Sequence, residues 1–63
     1  MKTFLAKNPK QLDICLKMLY SEHIEFMVRI QENDKKKIEY NIIANADEEV
    51  INELLEKYRI MIS

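Results

Sequence analysis

Two stretches of the chain alternate apolar and polar residues with strict period two. In the first, Ile24, Phe26, Val28 and Ile30 interleave with Glu25, Met27, Arg29 and Gln31. In the second, Ile38, Tyr40, Ile42 and Ala44 interleave with Glu39, Asn41 and Ile43. Side chains on a strand point to opposite faces in turn, so each run has one apolar face, and β-branched and aromatic residues suit it to a sheet. The polar segment Glu32-Asn33-Asp34-Lys35-Lys36-Lys37 between them predicts a turn through Asn33-Asp34 and an antiparallel hairpin.

On either side of the hairpin the period changes to that of a helix. Thr3 to Ala6 reads as a short first strand. Asn8-Pro9-Lys10-Gln11 then carries a helix start: Asn8 as cap, Pro9 at the first helical position, Gln11 closing a capping box. Leu12, Cys15, Leu16 and Leu19 form one apolar stripe, while Ile14 and Met18 lie off it as either a broad shoulder of the core or an outward patch. The helix ends near Ser21-Glu22-His23 without a glycine, and His23 is placed to take the left-handed conformation there.

After the hairpin, Asn45-Ala46-Asp47-Glu48 repeats the start signature, with Asn45 as cap and Glu48 completing the box. Asp47, Glu48 and Glu49 suit the positive end of the helix dipole. Val50, Ile51, Leu54, Leu55, Tyr58, Met61 and Ile62 fall on one side at helical spacing, with Ile60 off it. Residues 59–63 also alternate well enough to form a fourth strand. The unbroken helical register between Lys57 and Ile60 favours continuing the helix.

The resulting order is βαββα, in one domain spanning residues 1–63. Two one-sided helices need a sheet face to cover, which makes an α+β, two-layer sandwich with both helices on one face. A right-handed crossover sets the first strand parallel to the second, and the third strand then sits between them in sheet order 1-3-2. This is a ferredoxin-like half, without a fourth strand or with a very short one.

Composition limits what such a domain does. A chain of 63 residues buries only about 60% of the surface its unfolded form exposes. A single cysteine cannot staple it internally, so association with another chain is the expected source of extra stability. The net charge of −1 gives no draw toward nucleic acid, and no apolar run reaches bilayer length. The start, Met1 to Lys7, is interrupted by charge too early for a secretory signal, which with a lone thiol points to the cytoplasm. The absence of glycine beside abundant Ile, Lys, Asn and Glu fits an AT-rich bacterial, plasmid or phage genome.

Catalytic chemistry is not visible. There is one histidine, no base stands at a recognisable spacing from a hydroxyl, and a glycine-rich phosphate loop cannot be built without glycine. Cys15 and His23 lie about 12 Å apart along one helix and are turned by roughly 80°, so they cannot share a metal ion. No cofactor is expected. Lys35-Lys36-Lys37 lacks the interleaved aromatics of a nucleic-acid surface and reads as a solvated turn.

What remains is surface. With helices on one side, Leu5, Met27 and Ile43 face the other way, among Glu25, Arg29, Glu39 and Asn41. Three strands without a fourth also leave the first strand as an exposed edge. The candidate partner-binding residues are therefore Leu5, Met27, Ile43 and Arg29 on the open sheet face, with Ile14 and Met18 on the first helix. The reading alongside this is that scattered exposed apolar residues need no partner.

The run from Leu16 through Ser21-Glu22-His23-Ile24 to Val28 resembles the centre of small bacterial βαββα domains described as signal-transducing proteins. Those domains end the first helix in a leucine-rich turn and close with an acidic-capped helix, matched here by Asp47-Glu48-Glu49 and Leu54-Leu55. They usually have glycine where His23 stands. Their layout is similar to nitrogen-regulatory and ACT-type ligand-sensing domains, but the glycine turn of the ACT ligand interface is missing, so no small-molecule site is carried over. The resemblance implies a non-catalytic regulatory or adaptor module. The expected function is protein interaction, as a homodimer, with an unidentified partner. The alternatives are a phage- or plasmid-encoded inhibitor of a larger enzyme and a small-molecule sensor.

Overall fold

The structure is a computed structural model and describes residues 1–61. Its elements follow the order β1 (Lys2–Ala6), α1 (Pro9–Ser21), β2 (Phe26–Glu32), β3 (Ile38–Ala44) and α2 (Glu48–Lys57). β3 is central and antiparallel to both neighbours, giving the sheet order β1-β3-β2. Phe4 and Val28 both stand opposite Ile42, which fixes the helix-side face of the sheet as Phe4, Ala6, Tyr40, Ile42, Ala44, Phe26, Val28 and Ile30. The α+β two-layer arrangement follows, with a single core cluster drawn from that face and from both helices.

Local chemistry explains where the helices begin and end. Asn8 is extended, and its Oδ1 accepts from the Gln11 N–H at 2.8 Å, with Pro9 at the start of the helix. The Gln11 Oε1 reaches back to the Lys7 N–H at 2.7 Å, one residue before the cap, while its Nε2 donates to the Met61 carbonyl at 2.8 Å. At the other end His23 has φ 58°, its N–H donates to the Tyr20 carbonyl, and Ile24 N–H donates to that of Leu19. That bond pair is the Schellman arrangement, formed here on a histidine.

α2 departs from the sequence reading at both ends. Its cap is Asp47, not Asn45, and Asp47 makes no side-chain cap bond. Asn45 is still held in the hairpin, its N–H donating to the Glu25 carbonyl at 2.8 Å, so the helix cannot start until the strand has let go. The helix does not run on to Met61 either. It stops at Lys57, and Arg59 at φ 56° repeats the Schellman pair, with Arg59 N–H to Glu56 and Ile60 N–H to Leu55. The turn carries Ile60 onto the core, although Ile60 is the residue a continuous helix would point away. No fourth strand forms among the described residues; Ile62 and the end of that alternative lie outside them.

The core is compact and lopsided. Met18, Leu19, Cys15, Ile42 and Ile51 are fully buried, joined by Phe4, Ala6, Ala44 and Leu54. Each large aliphatic side chain buried in this way contributes roughly 1.5–3 kcal/mol. β2 contributes no residue to this buried set. α1 packs chiefly against β1 and β3, and β2 lies at the margin of the helix layer, where Phe26 and Ile30 stay exposed. The expectation that the whole apolar face of the hairpin is covered therefore fails on its outer strand.

Candidate protein-interaction surface

The open face of the sheet is ordered by the strand register. Thr3, Ile43 and Met27 form one row across it, and Leu5, Asn41 and Arg29 form the next. Met27 is 62% exposed and Leu5 39%, while Ile43, on the central strand, is half-buried between its neighbours. A shallow hollow of about 260 Å³ opens at the Met27–Ile43 end, reaching Glu25 and Asn45. Asn41 sits in the middle of the next row with its Nδ2 shielded and unbonded. Four of the residues picked from the sequence thus share one surface: Leu5, Met27, Arg29 and Ile43.

The other two do not join them. Ile14 is exposed on the helix layer, beside a separate hollow of about 270 Å³ near Tyr58 and Met61. Met18 is 1% exposed and lies in the core, because a helix on a three-stranded sheet buries an arc wide enough to include it. It is a shoulder of the core and no part of a contact surface.

A further apolar surface comes from residues assigned to the core on the sequence pattern. Phe26 (39%), Ile30 (59%) and Ile38 (49%) lie on the helix-side face but at the margin of the helices, so they form an exposed shelf along β2 and the start of β3. Tyr20 overhangs its near end, and an open groove of about 550 Å³ runs between the end of α1 and the start of β2, floored by Ile24 and Phe26. The signal that could have found this shelf was the sheet order itself, which makes β2 an outer strand.

Both outer strands present free backbone groups, and the register says which. Asn45 bonds to Glu25, and Asn33 N–H bonds to the Lys37 carbonyl at 2.9 Å. Both pairs extend the β2–β3 register, and hydrogen-bonded pairs recur every second residue in an antiparallel ladder. Met27, Arg29 and Gln31 therefore bond to β3, whereas Phe26, Val28, Ile30 and Glu32 turn their N–H and C=O groups outward. On β1 the same parity leaves only Thr3 and Leu5 facing out, between Lys2 and Lys7. Lys2 is moreover drawn to Glu48 of α2 at 3.2 Å. Short length and flanking lysines blunt an edge. The sequence reading singled out β1 as the open edge; β2 is the longer one, with an unbroken register and no lysine or proline.

The remaining chemistry is modest. Burial pushes the Cys15 thiol above its usual range, and a buried thiol of that kind is an inert packing group. The Tyr58 hydroxyl donates to Glu22 Oε2 at 2.8 Å, a bond that raises its pKa, with burial adding a smaller push. Among the described residues no group of three His, Cys, Asp or Glu side chains is placed to hold a metal ion. No helix there is long and apolar enough to cross a membrane. No protein-family model, curated protein or solved structure matches this chain.

Proposed function

We propose that this chain is a non-catalytic interaction module of the regulatory or adaptor kind, which works by binding a partner protein and is itself a homodimer. The observation that carries the reading is where the exposed apolar side chains lie. Met27 at 62% exposure stands opposite Ile43 in one row, with Leu5 and Arg29 in the next, on a sheet face that none of the described elements covers. A small domain with little core to spare gains stability when such a face is buried against another chain. Arg29 at its margin supplies directional polar contact, as expected at an interface rim. A lone buried thiol suits a reducing compartment such as the cytoplasm. The resemblance to small signal-transducing domains points the same way.

The test is a tagged chain used to capture proteins from host lysate, with mass spectrometry as readout. Met27→Lys with Ile43→Lys is run in parallel, since both side chains lie outside the fully buried core. One dominant partner that the double variant loses supports the reading. A folded double variant that captures the same partner equally well removes the open face from it.

A further inference from the structure

Resting on the reading of the chain as a self-associating module, we propose that two copies join through their β2 edges. The strands pair antiparallel with Val28 on the two-fold axis, so that two three-stranded sheets become one continuous sheet.

The hydrogen-bond parity restricts how this is done. Only Phe26, Val28, Ile30 and Glu32 have free outward groups, so these must pair among themselves in the new ladder. Three symmetric registers, centred on Val28, Arg29 or Ile30, overlap over most of β2. Centring on Ile30 overlaps as much as centring on Val28, but it sets Val28 opposite the partner's Glu32 and leaves Phe26 without a partner. Centring on Arg29 gives the longest overlap, but it sets the two guanidinium groups directly opposite each other and places Phe26 against the partner's Glu32. Like charges facing across a ladder are destabilising. Centring on Met27 pairs only the first part of the strand. Centring on Val28 sets Phe26 opposite the partner's Ile30, with Val28 opposite its symmetry mate.

In that register the side chains are complementary on both faces. On the helix side, the shelf residues Phe26 and Ile30, exposed by 39% and 59% in one copy, close against each other across the axis. The row Ile42–Val28 continues into the partner's Val28 and Ile42. On the open face Met27 lies beside the aliphatic stem of the partner's Arg29, and Glu25 lies diagonal to that guanidinium, within reach of a long side chain. Charge thus disfavours the Arg29 axis, apolar matching favours Val28 over Ile30, and the parity of the existing ladder permits the pairing. The pairing also sets the two Met27–Ile43 patches on either side of the axis.

Chemical synthesis allows a single backbone atom to be altered. N-methylation at Val28 removes an outward donor and leaves every bond to β3 in place. Light scattering on the parent chain at about 100 µM is expected to give twice the 7.6 kDa chain mass. The N-methylated chain, with an unchanged circular dichroism spectrum, is expected to dimerise at least about tenfold more weakly, since the axis loses its hydrogen-bonded pair. Ile30→Lys provides a second route should the methylated chain not fold, because Ile30 is already exposed; the same loss is expected. A parent chain that is monomeric at that concentration, or a folded N-methylated chain that dimerises as the parent does, overturns the proposal. For the register, Val28→Cys in a Cys15→Ala background should cross-link on oxidation faster than Arg29→Cys; the reverse order overturns the Val28 axis. A monomer that still captures a partner through Met27 and Ile43 would refute self-pairing while leaving the interaction reading intact. A β2 edge filled by a foreign strand would likewise refute the assignment to a second copy.

Discussion

Ile42 and Ile30 lie on the same face of the same sheet, on adjacent strands, and come from the same alternating pattern. One is fully buried and the other is 59% exposed. Beneath the helices, β1 and β3 form a closed half in which Phe4, Ala6, Ile42 and Ala44 meet Cys15, Met18, Leu19, Ile51 and Leu54. β2 forms an open half in which, among the described residues, Phe26 and Ile30 stay exposed and the backbone has one free side. Period-two alternation reports that one side of a strand is apolar. It does not say whether the chain itself or another molecule covers that side.

The largest effects should separate these halves. Ile42→Ala is expected to cost about 2–5 kcal/mol, the range for a large buried aliphatic cut to a methyl group. For a domain of this size, with a total of roughly 3–9 kcal/mol, that approaches unfolding. Ile30→Ala, measured in urea at protein concentrations low enough to hold the chain monomeric, should change stability by no more than about 0.5 kcal/mol. Equal losses at the two positions would mean that the open half is not open in solution.

Next in size is the cap of the helix that closes the covered half. Asn8→Ala removes the bond to Gln11 and should cost about 1 kcal/mol in the same measurement. A smaller change in the opposite sense is expected where the two helices end. His23 and Arg59 both sit near φ 57°, a conformation that costs a residue with a side chain more than it costs glycine. Glycine gives back part of that gain through its freer unfolded chain, so His23→Gly or Arg59→Gly should each stabilise by about 0.5 kcal/mol.

The pH dependence is gentler still. The Cys15 thiol is raised by burial, so its contribution is complete below the ordinary thiol range and is lost as pH rises through the higher folded value. Tyr58, raised chiefly by its bond to Glu22, acts in the same direction at higher pH. Unfolding midpoints taken across alkaline pH should therefore decline, and Cys15→Ala should flatten the first part of that decline. An unaltered slope would place the thiol in contact with water.

These differences also show how far the sequence could be read. Element order, the Asn8 cap and the left-handed His23 follow from local rules that act over a few residues, and strand order follows from the handedness of the crossover. Arg59 was missed because arginine carries no particular preference for that conformation, so the unbroken apolar spacing after Lys57 read as more helix. Asn45 was misread because a hydrogen bond to Glu25, twenty residues earlier in the chain, holds it in the ladder. Met18 and the shelf on β2 depend on the breadth of a helix footprint and on where it ends. Those are properties of packed layers that residue spacing does not record, although the sheet order already made β2 an outer strand. The open face around Met27 and Ile43 could be read because alternation alone decides which side a strand residue takes.

The most direct test is amide hydrogen exchange, residue by residue along β2, at two protein concentrations. In dilute solution Met27, Arg29 and Gln31 should be protected, while Phe26, Val28 and Ile30 exchange freely. Concentrating the sample should slow exchange at Phe26, Val28 and Ile30. Uniform protection along the strand in dilute solution would contradict the division of this fold into a closed half and an open one, and outward amides that stay unprotected when dimer forms would contradict its pairing through β2.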